Sequence, residues 1–256
     1  MNLQETAAVI RKPVKEQVYD LLHESVLAGR YSAGEWLRQE DVAARLGVSM
    51  TPVREALDLL VSSGLAERVP YRGVRIRNPS APDILDAYSM RLLLESVAAF
   101  SAAAKINHVR LAELWELLAR GKGLIALSDM PEERALSREL HSAIVAASGN
   151  RLLHRTYLTI LNTFPDWMLY EHLYRQPELL AESMQAEYRE HRLIVEALEC
   201  RDAGLCVERT IQHMQSRGRE LETYLGMSAE SLRAQEAQVL PLLHGIREQA
   251  IREEPI

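Results

Sequence analysis

Apolar positions along this chain follow two rhythms, and the change between them marks its first structural unit. Val14, Val18, Leu21, Leu22 and Val26 recur at helical spacing and stop at Gly29-Arg30. Val53, Ala56, Leu57, Leu60 and Val61 repeat the i, i+3, i+4, i+7, i+8 pattern of one buried helical face, which leaves Arg54, Glu55, Asp58 and Ser62 outward. Between these two, a short helix from about 40 to 46 turns Val42, Ala43 and Leu46 inward. Gly47 supplies the permissive backbone at which two helices meet steeply. Thr51 as N-cap, Pro52 at the first helical position and Gly64 as a stop bound the second helix of the pair. From Leu65 the period becomes two: residues 65–69 and 74–77 read as strands joined by the turn Pro70-Tyr71-Arg72-Gly73, and Trp36-Leu37 as a short strand or a cap on the core. In the second strand Val74 and Ile76 face the helices while Arg75 and Arg77 face away. Three helices followed by a β-hairpin predict a winged helix-turn-helix over residues 1–78.

Asn78-Pro79-Ser80-Ala81-Pro82 holds two prolines and no hydrophobic periodicity, so residues 79–82 read as a linker. Beyond it the pattern is helical: about 83–105, 108–128, 131–148, 150–164, 178–202 and 203–225, with short connections that predict an antiparallel all-α bundle over 83–225. A last pattern at about 228–253 makes residues 226–256 either an extra helix against the bundle or a polar tail. The chain as a whole is predicted to be mainly α.

Charge refines this division. The net charge of −6 over 256 residues argues against a uniformly basic nucleic-acid binder, but residues 1–78 hold 11 Lys and Arg against 10 Asp and Glu, so the acid lies in the second part. Arg68 to Arg77 holds four arginines and no acid, a local patch able to attract phosphates. The apolar run Leu92 to Ala104 is broken by Glu95 and Ser96 and falls short of the roughly 20 residues a membrane span needs. The start MNLQETAAVIRKP lacks the charged and apolar regions of a signal peptide, and a cytoplasmic location is expected. Cys200 and Cys206 lack a second pair at zinc-site spacing and read as reduced thiols.

Candidate chemistry sits in both parts. A helix-turn-helix places the N-terminal side chains of its second helix against base edges in the major groove, and Arg54 can meet guanine O6 and N7 with both arms of its guanidinium. Arginines alternating along an isolated strand would read as a solvated face; beside a helix-turn-helix, phosphate contact is the better reading. In the second part His141 follows Ser137 by one turn and shares a face with Leu140 and Ile144. His191 lies in line with Ile194, Val195 and Leu198, and His213 sits beside Thr210 and Met214. Taken singly each imidazole reads as a hydrogen-bonded core histidine. Three on separate helices of one bundle point to a metal site, or to imidazoles that hydrogen-bond an anion directly. Arg91 and Glu95, one turn apart, form an intrahelical ion pair worth roughly a few tenths of a kcal/mol or a clamp for a carboxylate.

The stretch VYDLLHESVLAGRYSAGEWLRQEDVAARLGVSMTPVREALDLLVSSGLAERVPYRGVRI resembles the DNA-binding domain of GntR-family bacterial transcription regulators. The resemblance implies DNA contacts from Arg38, Ser49, Met50, Thr51, Arg54, Arg72, Gly73 and Arg75. Met50 departs from the family, which usually carries arginine there, so Arg54 and the wing are expected to take more of the contact. RLLLE at 91–95, HSAIVAASGN at 141–150 and EHRLIVEAL at 190–198 are similar to the FCD ligand-binding domain of the FadR subfamily. That resemblance implies a homodimeric, effector-responsive repressor of a pseudopalindromic operator, controlled by a small carboxylate. Its effector contacts would come from Arg91 and Glu95, with Asn162 and Trp167 weaker pocket candidates and Trp167 equally readable as plain core. A divalent ion (zinc, nickel or manganese) would be held by His141, His191 and His213. Ser137 stands where the family usually places an aspartate ligand, which implies weakened or effector-dependent metal binding. The rival reading is a metal-dependent hydrolase or isomerase using the three histidines, against which stands the lack of an identifiable carboxylate base beside them, Glu139 being the nearest in sequence. A third reading is an architectural DNA-binding protein whose helical half is inert.

Overall fold

A computed structural model describes residues 12–27, 30–161 and 166–253, which divide into two compact units, 1–78 and 79–256. In the first, α1 (Val14–Leu27), β1 (Trp36–Leu37), α2 (Gln39–Leu46), α3 (Met50–Ser62), β2 (Ala66–Val69) and β3 (Gly73–Ile76) follow in order. The faces carrying Val18, Leu22 and Val26 of α1 and Val53, Ala56, Leu57 and Leu60 of α3 are buried against each other. β3 is the middle strand of a three-stranded antiparallel sheet in the order β1-β3-β2, with Leu37 opposite Val74 and Ala66 opposite Ile76. All four of these are buried, so the sheet's inner face closes the same core. Trp36-Leu37 is therefore a strand of the wing.

Gly47 is left-handed at φ 65, and its N–H returns to Ala43 O, ending α2 where the chain must turn. Contrary to the sequence expectation, α3 starts at Met50 with Ser49 as its cap residue, in extended geometry and without a side-chain cap bond. Thr51 lies inside the first turn and Pro52 at its third position. A proline is tolerated there because the first four helical N–H groups have no partner within the helix.

The second unit comprises α4 (Ala81–Lys105), α5 (His108–Gly121), α6 (Met130–Ala147), α7 (Arg151–Leu161), α8 (Asp166–Arg175), α9 (Pro177–Glu199), α10 (Ala203–Leu225) and α11 (Ala229–Glu253). α4 begins two residues earlier than the periodicity predicts, because Ser80 and Asp83 form a reciprocal capping box and Pro82 fits the first turn. α5 ends at Gly121, and the predicted stretch to 128 is a turn followed by a short 3-10 segment, Leu127–Asp129. α8 was not predicted: Pro165 and Pro177 bracket it and suggest a connection, yet Leu169, Tyr170 and Leu173 between them are buried on one helical face. α11 is a helix packed on α4 and α10 rather than a tail, with Leu232, Val239 and Leu243 buried.

α10 runs against α4, α8, α9 and α11. At its crossing with α4, Gly218 admits the buried ring of Tyr88, whose hydroxyl donates to Glu236 Oε1 of α11 at 2.6 Å. A Cβ on residue 218 would stand 2.6 Å from the Tyr88 hydroxyl and 2.9 Å from the ring. Gly218→Ala gains about 1 kcal/mol in helix propensity but overpacks this crossing by about 1–3 kcal/mol. A lowered melting temperature, by several degrees in a circular-dichroism melt, is the expected outcome; a raised one would mean that the crossing yields.

Candidate nucleic-acid interface and metal centre

On the first unit Ser49, Met50, Thr51 and Arg54 are exposed at the start of α3, Met50 by 52%. Arg38 precedes α2 and, with Arg72 and Gly73 of the wing turn, lines a cleft of about 500 Å³. The wing arginines differ in their commitments. Arg68 pairs with Asp58 of α3, while Arg75 Nε bonds Glu67 Oε1 at 2.6 Å and its guanidinium lies 5.8 Å over the Trp36 ring. Exposed pairs of this kind contribute roughly 0–1 kcal/mol, little enough to be exchanged for phosphate contacts. Neither Arg54 nor Arg72 has an ion pair with a described residue, and Tyr71, which sequence reasoning passed over, is fully exposed at the tip in the left-handed region at φ 63.

In the second unit α6, α9 and α10 bring His141, His191 and His213 together, with one ring nitrogen of each within 4.8 Å of the others. His141 Nε2 and His191 Nε2 are 3.0 Å apart. The outer sides of two rings are fixed by carboxylates: Glu95 Oε2 lies 2.8 Å from His141 Nδ1, and Glu190 Oε2 lies 2.9 Å from His213 Nδ1. A carboxylate can only accept, so these Nδ1 atoms carry the protons and the Nε2 lone pairs point inward. Burial drives the His191 pKa down to about 3, with His141 adding to the effect, and drives that of His213 well below the ordinary histidine value. Both are therefore neutral at pH 7, the form a metal ligand needs, and unsuited to act as protonated donors to an anion.

The residues fit a divalent ion on a further ground. His213 Nε2 is buried without a hydrogen-bond partner, an arrangement costing about 1–3 kcal/mol unless something takes up its lone pair. Beside it is a cavity of about 20 Å³, of the order of one water or ion. Ser137, Glu187, Arg91 and Arg217 also line this cavity. Ser137 Oγ donates to Glu187 Oε1 at 2.9 Å, and Arg217 bonds Glu187 Oε2 at 3.1 Å and Glu220 Oε1 at 2.6 Å. Burial raises Glu220 to about 7 despite the pull of Arg217.

Arg91 and Glu95 pair at 2.8 Å, but both are only 3% exposed, so the surface-pair value of a few tenths does not apply. Burial opposes the charge on Glu95, yet Arg91 and His141 overcome it and hold the carboxyl down at about 2. Arg91 reaches the cavity, whereas Glu95 stands behind His141. Asn162 and the side chain of Trp167 lie outside the described residues. Sequence reasoning missed Glu187, Glu190 and Arg217, and its statement that no carboxylate lies beside the histidines is overturned by Glu95, Glu187 and Glu190. Glu139, the residue it considered, is exposed. The available signal was spacing: Glu187 precedes His191 by one turn, and Glu190 adjoins it.

The family model for bacterial regulatory proteins of the gntR family matches residues 14–76, and that for the FCD domain matches residues 86–216. The chain is 32% identical over 147 residues to a probable D-xylose utilization operon transcriptional repressor of Paenarthrobacter nicotinovorans, covering 57% of this chain and 65% of that one. It is 27% identical over 207 residues to the HTH-type transcriptional repressor RspR of Escherichia coli, covering 80% and 87%. The E. coli McbR/YncC structure superposes with a TM-score of 0.60 at 23% identity, covering 84% of this chain and all of that one, a likeness of fold.

The buried pair behind His141 yields a stability prediction. Glu95→Ala removes the carboxylate that Arg91 Nε and His141 Nδ1 both face in a buried position, and is expected to cost about 3–5 kcal/mol in urea unfolding. A loss below about 1 kcal/mol would show that water reaches Arg91.

Proposed function

Since the chain belongs to the GntR family of bacterial regulatory proteins and carries its FCD domain, it is a DNA-binding transcription regulator rather than an enzyme, and we propose that it is a homodimeric repressor released or tightened by a small organic acid. The observation that carries the effector reading is the convergence of three imidazoles, two of which, His141 and His213, line a cavity that guanidinium groups also line. His141, His191 and His213 would hold a zinc, nickel or manganese ion, which when bound supplies a Lewis-acidic position for a carboxylate oxygen. In the present arrangement His191 Nε2–H donates to His141 Nε2, so holding an ion requires the His191 proton to sit on Nδ1 instead. Arg91, Arg138 and Arg217 surround the cavity with positive charge suited to the same carboxylate.

A cavity of about 20 Å³ is too small for an organic acid. The effector therefore binds an arrangement in which the helices around the cavity have moved apart. Such a ligand has the differential affinity that shifts a conformational equilibrium, as one bound equally to both arrangements would not. The hydrolase or isomerase reading loses its place to the family membership, even though carboxylates do stand beside the histidines.

On the DNA side, Ser49, Met50, Thr51 and Arg54 would enter the major groove while Arg38, Arg72, Gly73 and Arg75 hold the backbone. Two recognition helices, one from each subunit, would address the two half-sites of a pseudopalindromic operator.

Band shifts on duplexes that the protein selects from a random pool, repeated with added carboxylates and divalent ions, test the effector reading; DNA binding indifferent to all of them would end it. Arg54→Ala is expected to lower affinity for the selected duplex by about 10–100-fold with little change for random DNA, in line with one bidentate base contact. An unaltered footprint preference would remove that role from Arg54. His191→Ala is expected to lower the metal content found by elemental analysis without weakening the DNA binding of the ion-free protein. Equal content in both proteins would count against the histidine centre.

A further inference from the structure

The three carboxylates around the imidazoles are not equivalent. Glu95 and Glu190 accept from Nδ1 atoms, on the sides of His141 and His213 that face away from the shared centre. Glu187 is placed differently: its Oε1 lies 3.7 Å from His191 Nε2, on the inner side. We propose that Glu187 is the fourth protein ligand of the divalent ion held by His141, His191 and His213, with Oε1 as its donor atom. This assignment rests on the metal reading above.

Three observations support it. Glu187 and His191 are one turn apart on α9, so a single helix face presents both. Neighbouring donors on one ion stand roughly 3.0–3.4 Å apart for bonds of about 2.1 Å, so Oε1 is within a few tenths of an ångström of such a position relative to His191. The two oxygens of Glu187 are also divided in use. Oε2 accepts from Arg217 at 3.1 Å, while Oε1 accepts from the Ser137 hydroxyl at 2.9 Å and keeps lone-pair capacity for an ion.

Charge makes the assignment economical. Three neutral imidazoles leave both charges of a dication uncompensated in a buried centre, and an anionic oxygen removes one of them. Ser137 then has a defined part as the group that orients this ligand. A carboxylate in place of its hydroxyl would face Glu187 across about 3 Å, a like-charge contact that a buried site disfavours. An acid at 137 and an acid at 187 are thus alternatives for one corner of the site.

The test is a titration of the full-length protein with zinc chloride and with nickel chloride against a chromophoric chelator. It uses the unaltered chain, Glu187→Gln, Glu190→Gln and the double variant Ser137→Asp/Glu187→Gln, each with its melting temperature. The unaltered chain is expected to take up one ion. Glu190→Gln, which alters the group behind His213, is expected to weaken uptake about 10-fold, and Glu187→Gln by about 100-fold or more. The double variant should recover most of the loss, which a purely structural role for Glu187 would not produce. Should Glu187→Gln melt too early to compare, Glu187→Asp keeps the charge facing Arg217 but withdraws the oxygen by one carbon, and the same weakening is expected. Glu187→Gln binding as the unaltered chain does, or a double variant that recovers nothing, overturns the ligand assignment while leaving the histidine centre in place. An unaltered chain that takes up neither ion overturns the histidine centre itself, and the ligand assignment with it.

Discussion

The second unit depends on carboxylates buried behind imidazoles. Burial at 3% exposure works against the charge on Glu95 and Arg91 does most to offset it, and the carboxylate in turn fixes which nitrogen of His141 carries the proton. The chain Arg91, Glu95, His141 thus converts an expensive buried charge into a defined direction for a lone pair. Arg217, Glu187 and Ser137 form a second such chain beside the same cavity. Such networks are poor evidence of stability, since apolar replacements often do as well. Their value here is orientation, which an apolar core cannot supply.

The two units spend polar groups in opposite ways. In the winged helix the paired Arg, Asp and Glu residues sit outside a core built mainly of Val, Leu and Ala, and their ion pairs are exposed and cheap to break. In the bundle the polar groups lie between helices that are themselves well packed. One design leaves side chains ready to trade partners for phosphates; the other holds its partners fixed until something enters.

Much of the fold was legible because it rests on periodicity. The stripe on α3, the alternation in β3 and the long amphipathic helices of the bundle all follow from which face is buried. The missing helix α8 was obscured by Pro165 and Pro177, whose local preference for turns says nothing of the eleven residues between them. The start of α3 was misplaced because Thr51-Pro52 is a good cap sequence, whereas Ser49 takes the position through backbone geometry alone. The histidine centre was half legible. Imidazoles on apolar faces stand out, but Glu187, Glu190 and Arg217 look like ordinary charges on long helices, and only the tertiary packing of α9 on α10 shows that Glu187 and Arg217 are buried and Glu190 half-buried beside the histidines.

The small cavity also bears on time. A pocket with room for about one water cannot be entered at the rate of diffusion, since each encounter succeeds only during the brief intervals when the surrounding helices have parted. Association is then slowed in proportion to the time the helices spend parted, and dissociation is slowed by the same barrier. With the effector proposed above, a regulator built this way would average over fluctuations in metabolite level shorter than its opening time and answer only to a supply that lasts.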